Sequence, residues 1–91
     1  MSTVEFIWDD ANRKHLARHR ITPHEAEEVL QIDPLVQEVQ QNIGEDRVLV
    51  FGRTANGRLL AIIYAVRKGA IRVVTGYRMT KWQQRIYFEE K

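Results

Sequence analysis

The chain has 91 residues, 14 Lys or Arg against 12 Asp or Glu, and no cysteine. That length makes a single domain, residues 1–91, and the missing thiols exclude a disulfide framework and a thiolate metal site. Met1 to Asp10 is acidic where a signal peptide starts basic, and the longest apolar run, Leu59 to Val66, is too short to span a bilayer, so the expectation is a cytoplasmic protein without membrane contact.

The net charge of +2 hides an asymmetry. Residues 1–45 hold four basic residues (Arg13, Lys14, Arg18, Arg20) against nine acids, and residues 46–91 hold ten against three (Asp46, Glu89, Glu90), so the halves carry −5 and +7. The first half repels phosphate and the second attracts it. A core this small also gains from a permanent partner.

Val4 to Trp8 alternates acid and apolar residues and predicts a short strand. Asp9 or Asp10 then caps a helix through Ala11 to His19. Thr22-Pro23-His24-Glu25 combines a capping threonine, a proline at the first helical position and a reciprocal glutamate, predicting a second helix to about Gln31. Its Ala26, Val29 and Leu30 share a face that Leu16 can meet, and Asp33-Pro34 stops it.

From Leu35 the pattern becomes extended. Leu35 to Gln41 reads as a weak strand or loop, Arg47 to Thr54 as a strand, and Asn56-Gly57 as a hairpin turn. Arg58 to Val66 is almost continuously apolar and so predicts a central strand covered on both faces. Arg67-Lys68-Gly69 turns the chain into a last strand, Ala70 to Arg78, and Thr80-Lys81-Trp82-Gln83 is a second capping box that opens a helix to about Glu89. The expected fold is α+β, with a small antiparallel sheet built as strand, two helices, three-stranded meander and C-terminal helix.

The basic residues concentrate at the junction from Arg72 to Arg85. Strict alternation places Ile71, Val73, Thr75 and Tyr77 on one face of the last strand and Arg72, Val74, Gly76 and Arg78 on the other. At its end Tyr77, Arg78, Thr80 and Lys81 meet the amino end of a helix, where unpaired amides and the macrodipole favour an anion, and Gly76 clears the surface for close approach. Arg53 and Arg58 flank the hairpin turn and extend the cationic surface if the meander brings that end round. Arg72 and Arg85 add to the RNA-binding set. Trp82 suits base stacking, worth about 1–3 kcal/mol in single-strand binders, although Trp82 and Ile86 also have the spacing of a docking stripe. Tyr87 and Phe88 read as exposed on the same helix. The plain alternative is that the arginines solvate strand ends and Tyr77 is a half-buried aromatic with a wet hydroxyl.

His15 and His19 have the spacing of a two-histidine metal pair, but that helix face offers no third ligand, so neither metal nor cofactor is expected. His19 reads as a helix-end hydrogen-bonding residue, and as an acid or base if the first helix reaches the site. His24 reads as a surface residue. There is no Gly-rich phosphate loop and no Ser/His/Asp grouping.

Three stretches make the chain resemble the BrnT family, toxins of bacterial type II toxin–antitoxin modules related in fold to RelE and ParE. They are Phe6-Ile7-Trp8-Asp9-Asp10-Ala11-Asn12 followed by Arg18-His19-Arg20-Ile21 and Glu25-Ala26; Gly52-Arg53-Thr54 with Gly57-Arg58-Leu59-Leu60; and Arg72 to Thr80, running on to Arg85 and Tyr87. The family usually has paired basic residues after the small-residue step ending the last strand, a glutamate in the first turn of the last helix, and glycine before the second helix. Here those positions hold Tyr77, Gln83 and Arg20.

The resemblance implies a metal-independent ribonuclease that acts on messenger RNA and slows translation. It also implies a BrnA-like ribbon-helix-helix antitoxin as partner, in a hetero-oligomer that meets operator DNA through the antitoxin. Cleavage would proceed by attack of the substrate's own 2′-hydroxyl on the adjacent phosphorus, with Arg78 and Arg53 stabilising charge and Tyr77, Lys81 or His19 moving protons. The alternative is a non-catalytic module of the same fold that docks an antitoxin or operator DNA. Interference with DNA gyrase, as in ParE-like relatives, is a third reading.

Overall fold

Reciprocal capping boxes set the first two helices. Asp9 Oδ1 accepts the Asn12 N–H at 3.0 Å while Asn12 Oδ1 accepts the Asp9 N–H at 2.8 Å, and Thr22 and Glu25 do the same one helix later. The computed structural model describes residues 4–42 and 44–90. Its elements are β1 (Phe6–Ile7), α1 (Asp10–Ala17), α2 (Pro23–Ile32), β2 (Leu35–Asn42), β3 (Glu45–Arg53), β4 (Leu59–Arg67), β5 (Ala70–Arg78) and α3 (Lys81–Glu90). The link between α1 and α2 is tight because Arg20 takes the left-handed conformation, φ 58°, in the position where glycine is usual for the resembling family.

The strands form one five-stranded sheet in the order β1-β5-β4-β3-β2. β1 runs parallel to β5 while the other neighbours are antiparallel, so the sheet is mixed rather than wholly antiparallel. The meander also has four strands instead of three. The weak-looking segment from Leu35 pairs with β3 along its length, from Leu35 opposite Phe51 to Asn42 opposite Glu45. Its polar sequence concealed this because β2 is an edge strand with Val36 and Val39 exposed, and partner hydrogen bonds rather than burial hold it.

Helices cover both faces. On one, Leu16, Ile21, Ala26 and Val29 of the α1–α2 unit pack on Leu60, Ile62 and Val73. On the other, Tyr87 of α3 joins Phe51, Ala61 and Met79, with Leu59, Tyr77 and Ile86 against them. β4 therefore contributes alternate residues to two cores, the central position its apolar run predicted. Buried Asn12 ties the layers together: its Nδ2 donates to the Ile7 carbonyl at 2.9 Å and the Val73 carbonyl at 3.0 Å.

A register shift at Ile63/Tyr64 breaks the simple alternation of β5. Before it, Val73 faces α1 and α2. Beyond it, Gly76 and Arg78 lie opposite Ile62 and Leu60, which face those same helices, whereas Tyr77 lies opposite Ala61 and packs on the α3 side. Tyr77 thus leaves the face that strict alternation gave it. Gly76 is buried, and a Cβ there would lie 2.6 Å from Ile62 Cδ1 and 3.2 Å from Leu16 Cδ2, so this glycine lets α1 seat on the sheet instead of clearing room for a ligand.

Candidate functional site

The β3–β4 turn is braced from within. The Thr54 N–H donates to the Arg58 carbonyl at 2.9 Å, Thr54 Oγ1 accepts the Arg58 N–H at 2.9 Å, and the same hydroxyl donates to Asn56 Oδ1 at 2.6 Å. Gly57 supplies the positive φ of 88° that the turn requires. β5 ends beside this turn, with Arg53 opposite Leu59 and Arg78 opposite Leu60. Between the turn and the start of α3 lies a groove of about 420 Å³, lined by Asn56, Gly57, Arg58, Leu59, Arg78, Met79 and Gln84. The meander therefore does bring Arg53, Arg58 and Arg78 to one end of the sheet.

The arginines of the basic half divide by partner. Arg58 Nη1 donates to Glu25 Oε2 at 2.6 Å and to the Arg20 carbonyl at 3.1 Å, so its charge is committed to holding α2 against the turn. Arg72, six residues back along β5, pairs with Asp9 at 2.9 Å and is only 17% exposed; the structure does not bring it to the groove. Arg67 and Arg47 share Glu45 at the far end, at 2.5 and 3.9 Å. Among the described residues Arg53, Arg78, Lys81 and Arg85 have no carboxylate partner, and all four are exposed.

These pairs displace proton affinities. Burial pushes the Glu25 carboxyl up, but the bonds from the Thr22 N–H and the Arg58 guanidinium outweigh it and hold the group below its ordinary value of 4.5. The Arg67 hydrogen bond depresses Glu45, and the Asn12 N–H depresses Asp9.

At the start of α3, Thr80 is occupied by its own helix. Its Oγ1 accepts the Gln83 N–H at 3.2 Å and its N–H donates to Gln83 Oε1 at 3.0 Å. Gln83 Nε2 then donates to the Tyr77 hydroxyl at 2.9 Å. Lys81 stands exposed at the first helical position, and Arg85 lies 5.8 Å from the ring of Trp82, which is 64% exposed. Phe88 is exposed as the sequence suggested. Tyr87 is not: it is buried against Phe51 and Met79, and its hydroxyl donates to the Asp33 carbonyl at 3.0 Å. His19 is exposed in the turn after α1, which the Arg58 bond to the neighbouring Arg20 carbonyl ties to the β3–β4 turn, but His19 is not one of the residues that line the groove.

Sequence reasoning missed three contributors. Asn56 was visible only as a turn residue, Gln84 carried no signal, and Gln83 was legible as half of a capping box but not as the partner of Tyr77. Among the described residues no three His, Asp or Glu side chains are grouped to hold a metal, and no helix is long and apolar enough to cross a membrane.

A family model described as ribonuclease toxin, BrnT, of type II toxin-antitoxin system matches residues 8–82. The chain belongs to the BrnT family. The BrnT match takes in α1, α2, the whole meander and the groove's two arginines, and it ends at Trp82 in the first turn of α3. No curated protein and no solved structure matches the chain. Membership makes it a ribonuclease toxin of a type II module, with an antitoxin as partner.

Proposed function

We propose that the chain is a RelE-like toxin of the cytoplasm that cleaves messenger RNA without a bound metal, slows translation, and is neutralised by a BrnA-like ribbon-helix-helix antitoxin that carries the pair to operator DNA. The sorting of the arginines supports this reading. Arg58, Arg67 and Arg72 are each paired with a carboxylate and Arg47 shares Glu45 with Arg67, while Arg53, Arg78, Lys81 and Arg85 have no carboxylate partner at the end of the sheet that holds the groove. A cluster of uncompensated cations costs stability through self-repulsion and favours a polyanion.

In the proposed reaction the RNA 2′-oxygen attacks the adjacent phosphorus while the bond to the 5′-oxygen breaks. Arg78 and Arg53 stabilise the charge that builds on the phosphoryl oxygens, Lys81 steadies the neighbouring phosphate, and Trp82 with Arg85 receives a base. His19, exposed in the turn after α1 that Arg58 holds through the Arg20 carbonyl, takes the 2′-proton. Arg58 shapes the groove while its charge stays with Glu25.

One observation favours the non-catalytic module instead. The two positions where the resembling family carries a basic residue and a glutamate hold Tyr77 and Gln83, joined by a neutral hydrogen bond. Incubating the purified chain with messenger RNA in excess chelator separates the readings. We expect cleavage that Arg78→Ala lowers by about 10²–10³-fold; intact RNA, or cleavage indifferent to Arg78→Ala, rejects the enzyme.

A further inference from the structure

The end of the sheet away from the groove carries a second group of arginines, and its charges are incompletely matched. Arg47 lies opposite Ala65, which lies opposite Arg72, and Glu45 and Arg67 each stand two residues from that row on β3 and β4. β3 and β4 pair without a register shift, so alternation puts all five on the face that α3 covers further along, at Phe51 and Ala61. The packing of α3 does not extend to them.

Three guanidiniums share two carboxylates here. Arg67 takes Glu45 at 2.5 Å and Arg72 takes Asp9 at 2.9 Å, which leaves Arg47 with Glu45 at 3.9 Å, beyond hydrogen-bond reach. The Arg67 hydrogen bond foremost, with the charges of Arg47 and Arg72, holds the Glu45 carboxyl below its ordinary value, so all three arginines act on one acid. Arg47 Nε is buried with no acceptor among the described residues, although the side chain as a whole is 42% exposed. A buried donor left open is rare in a native fold and calls for an acceptor from outside it. Beside the cluster, a groove of about 560 Å³ runs between Gly44 and the β4–β5 turn, lined by Gly44, Glu45, Val66, Arg67 and Lys68. Val66 is 57% exposed in it.

We propose that this end of the sheet docks the antitoxin, through a segment that carries a carboxylate beside an aliphatic side chain. The carboxylate binds the Arg47 guanidinium side-on, through Nε and a terminal nitrogen, and brings three acids to three arginines. The aliphatic side chain covers Val66. Charge selects protein over nucleic acid at this site. Glu45 and Asp9 stand among the arginines and repel a phosphate backbone, whereas one carboxylate suits the one guanidinium without a close partner. The RNA groove is the reverse case, with cations that have no carboxylate partner at all. Arg47 and Arg53 are six residues apart on β3, about 20 Å for an extended chain, so this contact anchors the antitoxin without entering that groove. The inference rests on the family membership that supplies an antitoxin, and it holds whether or not the chain cleaves RNA.

The experiment titrates the antitoxin of the chain's own module, and separately an RNA oligonucleotide, into wild type, Arg47→Ala and Arg78→Ala, with thermal melting of each. Arg47→Ala removes only the 3.9 Å contact of that side chain and should melt within about 2 °C of wild type. It should bind the antitoxin about 10-fold or more weakly and RNA within about threefold of wild type, while Arg78→Ala loses RNA affinity. The chain has no cysteine, so Val66→Cys places a single thiol in the groove. Saturating antitoxin should slow its alkylation by about 10-fold or more, and RNA should leave it unchanged. Wild-type antitoxin affinity in Arg47→Ala, or a Val66→Cys thiol that reacts equally fast in the saturated complex, overturns the inference; the thiol decides even where Arg47→Ala folds poorly. A loss of RNA affinity in Arg47→Ala in place of antitoxin affinity assigns the cluster to nucleic acid and overturns it as well, as does a wild-type chain that binds no antitoxin. A wild-type chain that binds antitoxin in this way but no RNA removes the ribonuclease reading alone.

Discussion

Arg58 and Glu25 lie 33 residues apart in sequence, and their side chains meet at 2.6 Å. The pair joins the β3–β4 turn to the first turn of α2, and the second bond from Arg58 to the Arg20 carbonyl fixes the α1–α2 link in the same place. An arginine that sequence alone assigned to RNA is thus a brace on which the groove is built.

Replacing the brace and replacing the open cation should have different signatures. Arg58→Ala removes hydrogen bonds to a charged group and leaves Glu25 without its partner, a loss of about 1–2 kcal/mol, or roughly 4–8 °C in Tm per kcal/mol for a domain of this size. Arg78→Ala, at an exposed position with no carboxylate partner, should melt within about 2 °C of wild type while losing RNA affinity. Thermal melting beside a filter-binding titration decides the matter; equal melting temperatures for the two variants would count against the brace.

Acid should weaken the fold, and the sign follows from the carboxylates. Glu25, Glu45 and Asp9 are all held below their ordinary values in the folded chain. The unfolded chain therefore binds protons more readily than the folded one as pH drops, so stability rises with pH across that range. The contribution of Glu25 is complete above its unfolded value near 4.5 and is lost as pH falls through the lower folded value. Melting followed from about pH 6 down to about pH 3 should fall with a steeper slope in wild type than in Glu25→Gln, which starts lower at neutral pH. Parallel slopes would remove Glu25 from the explanation.

Arg20 offers a gain. Its φ of 58° places an L side chain in the left-handed region, which costs about 1–2 kcal/mol, and its side chain is exposed. Arg20→Gly relieves that cost at the expense of a more flexible unfolded chain, and its carbonyl still accepts from Arg58. The net expectation is a rise in stability of up to about 1 kcal/mol, visible in a denaturant titration as a higher midpoint with an unchanged slope. A lower midpoint would show that the Arg20 side chain contributes more than its backbone costs.

The features legible from the sequence are those decided within a few residues. Asp9, Thr22 and Thr80 each declare a helix start because the acceptor and the amide it satisfies are three positions apart. Asn56-Gly57 declares the turn because only certain residues take a positive φ there cheaply. The continuous apolar run from Leu59 declares the middle of a sheet because no face of it suits water. The charge asymmetry between the halves was also fixed by counting alone.

What the sequence could not show depends on partners far along the chain. Whether an arginine is free or spent is settled by carboxylates 33 residues away for Arg58 and 63 for Arg72, and local pattern carries no trace of such distances. One extra residue at the register shift in β5 turns Tyr77 toward α3 and Gly76 under α1, because side chains alternate with period two and a single insertion exchanges the faces. The Gln83 side chain reaches Tyr77 only once α3 has folded back on the strand that precedes it. The sequence by itself determined that a basic strand-to-helix junction exists; the tertiary structure decided which of its cations stay unpaired and which way its tyrosine points, since both depend on what packs beside them.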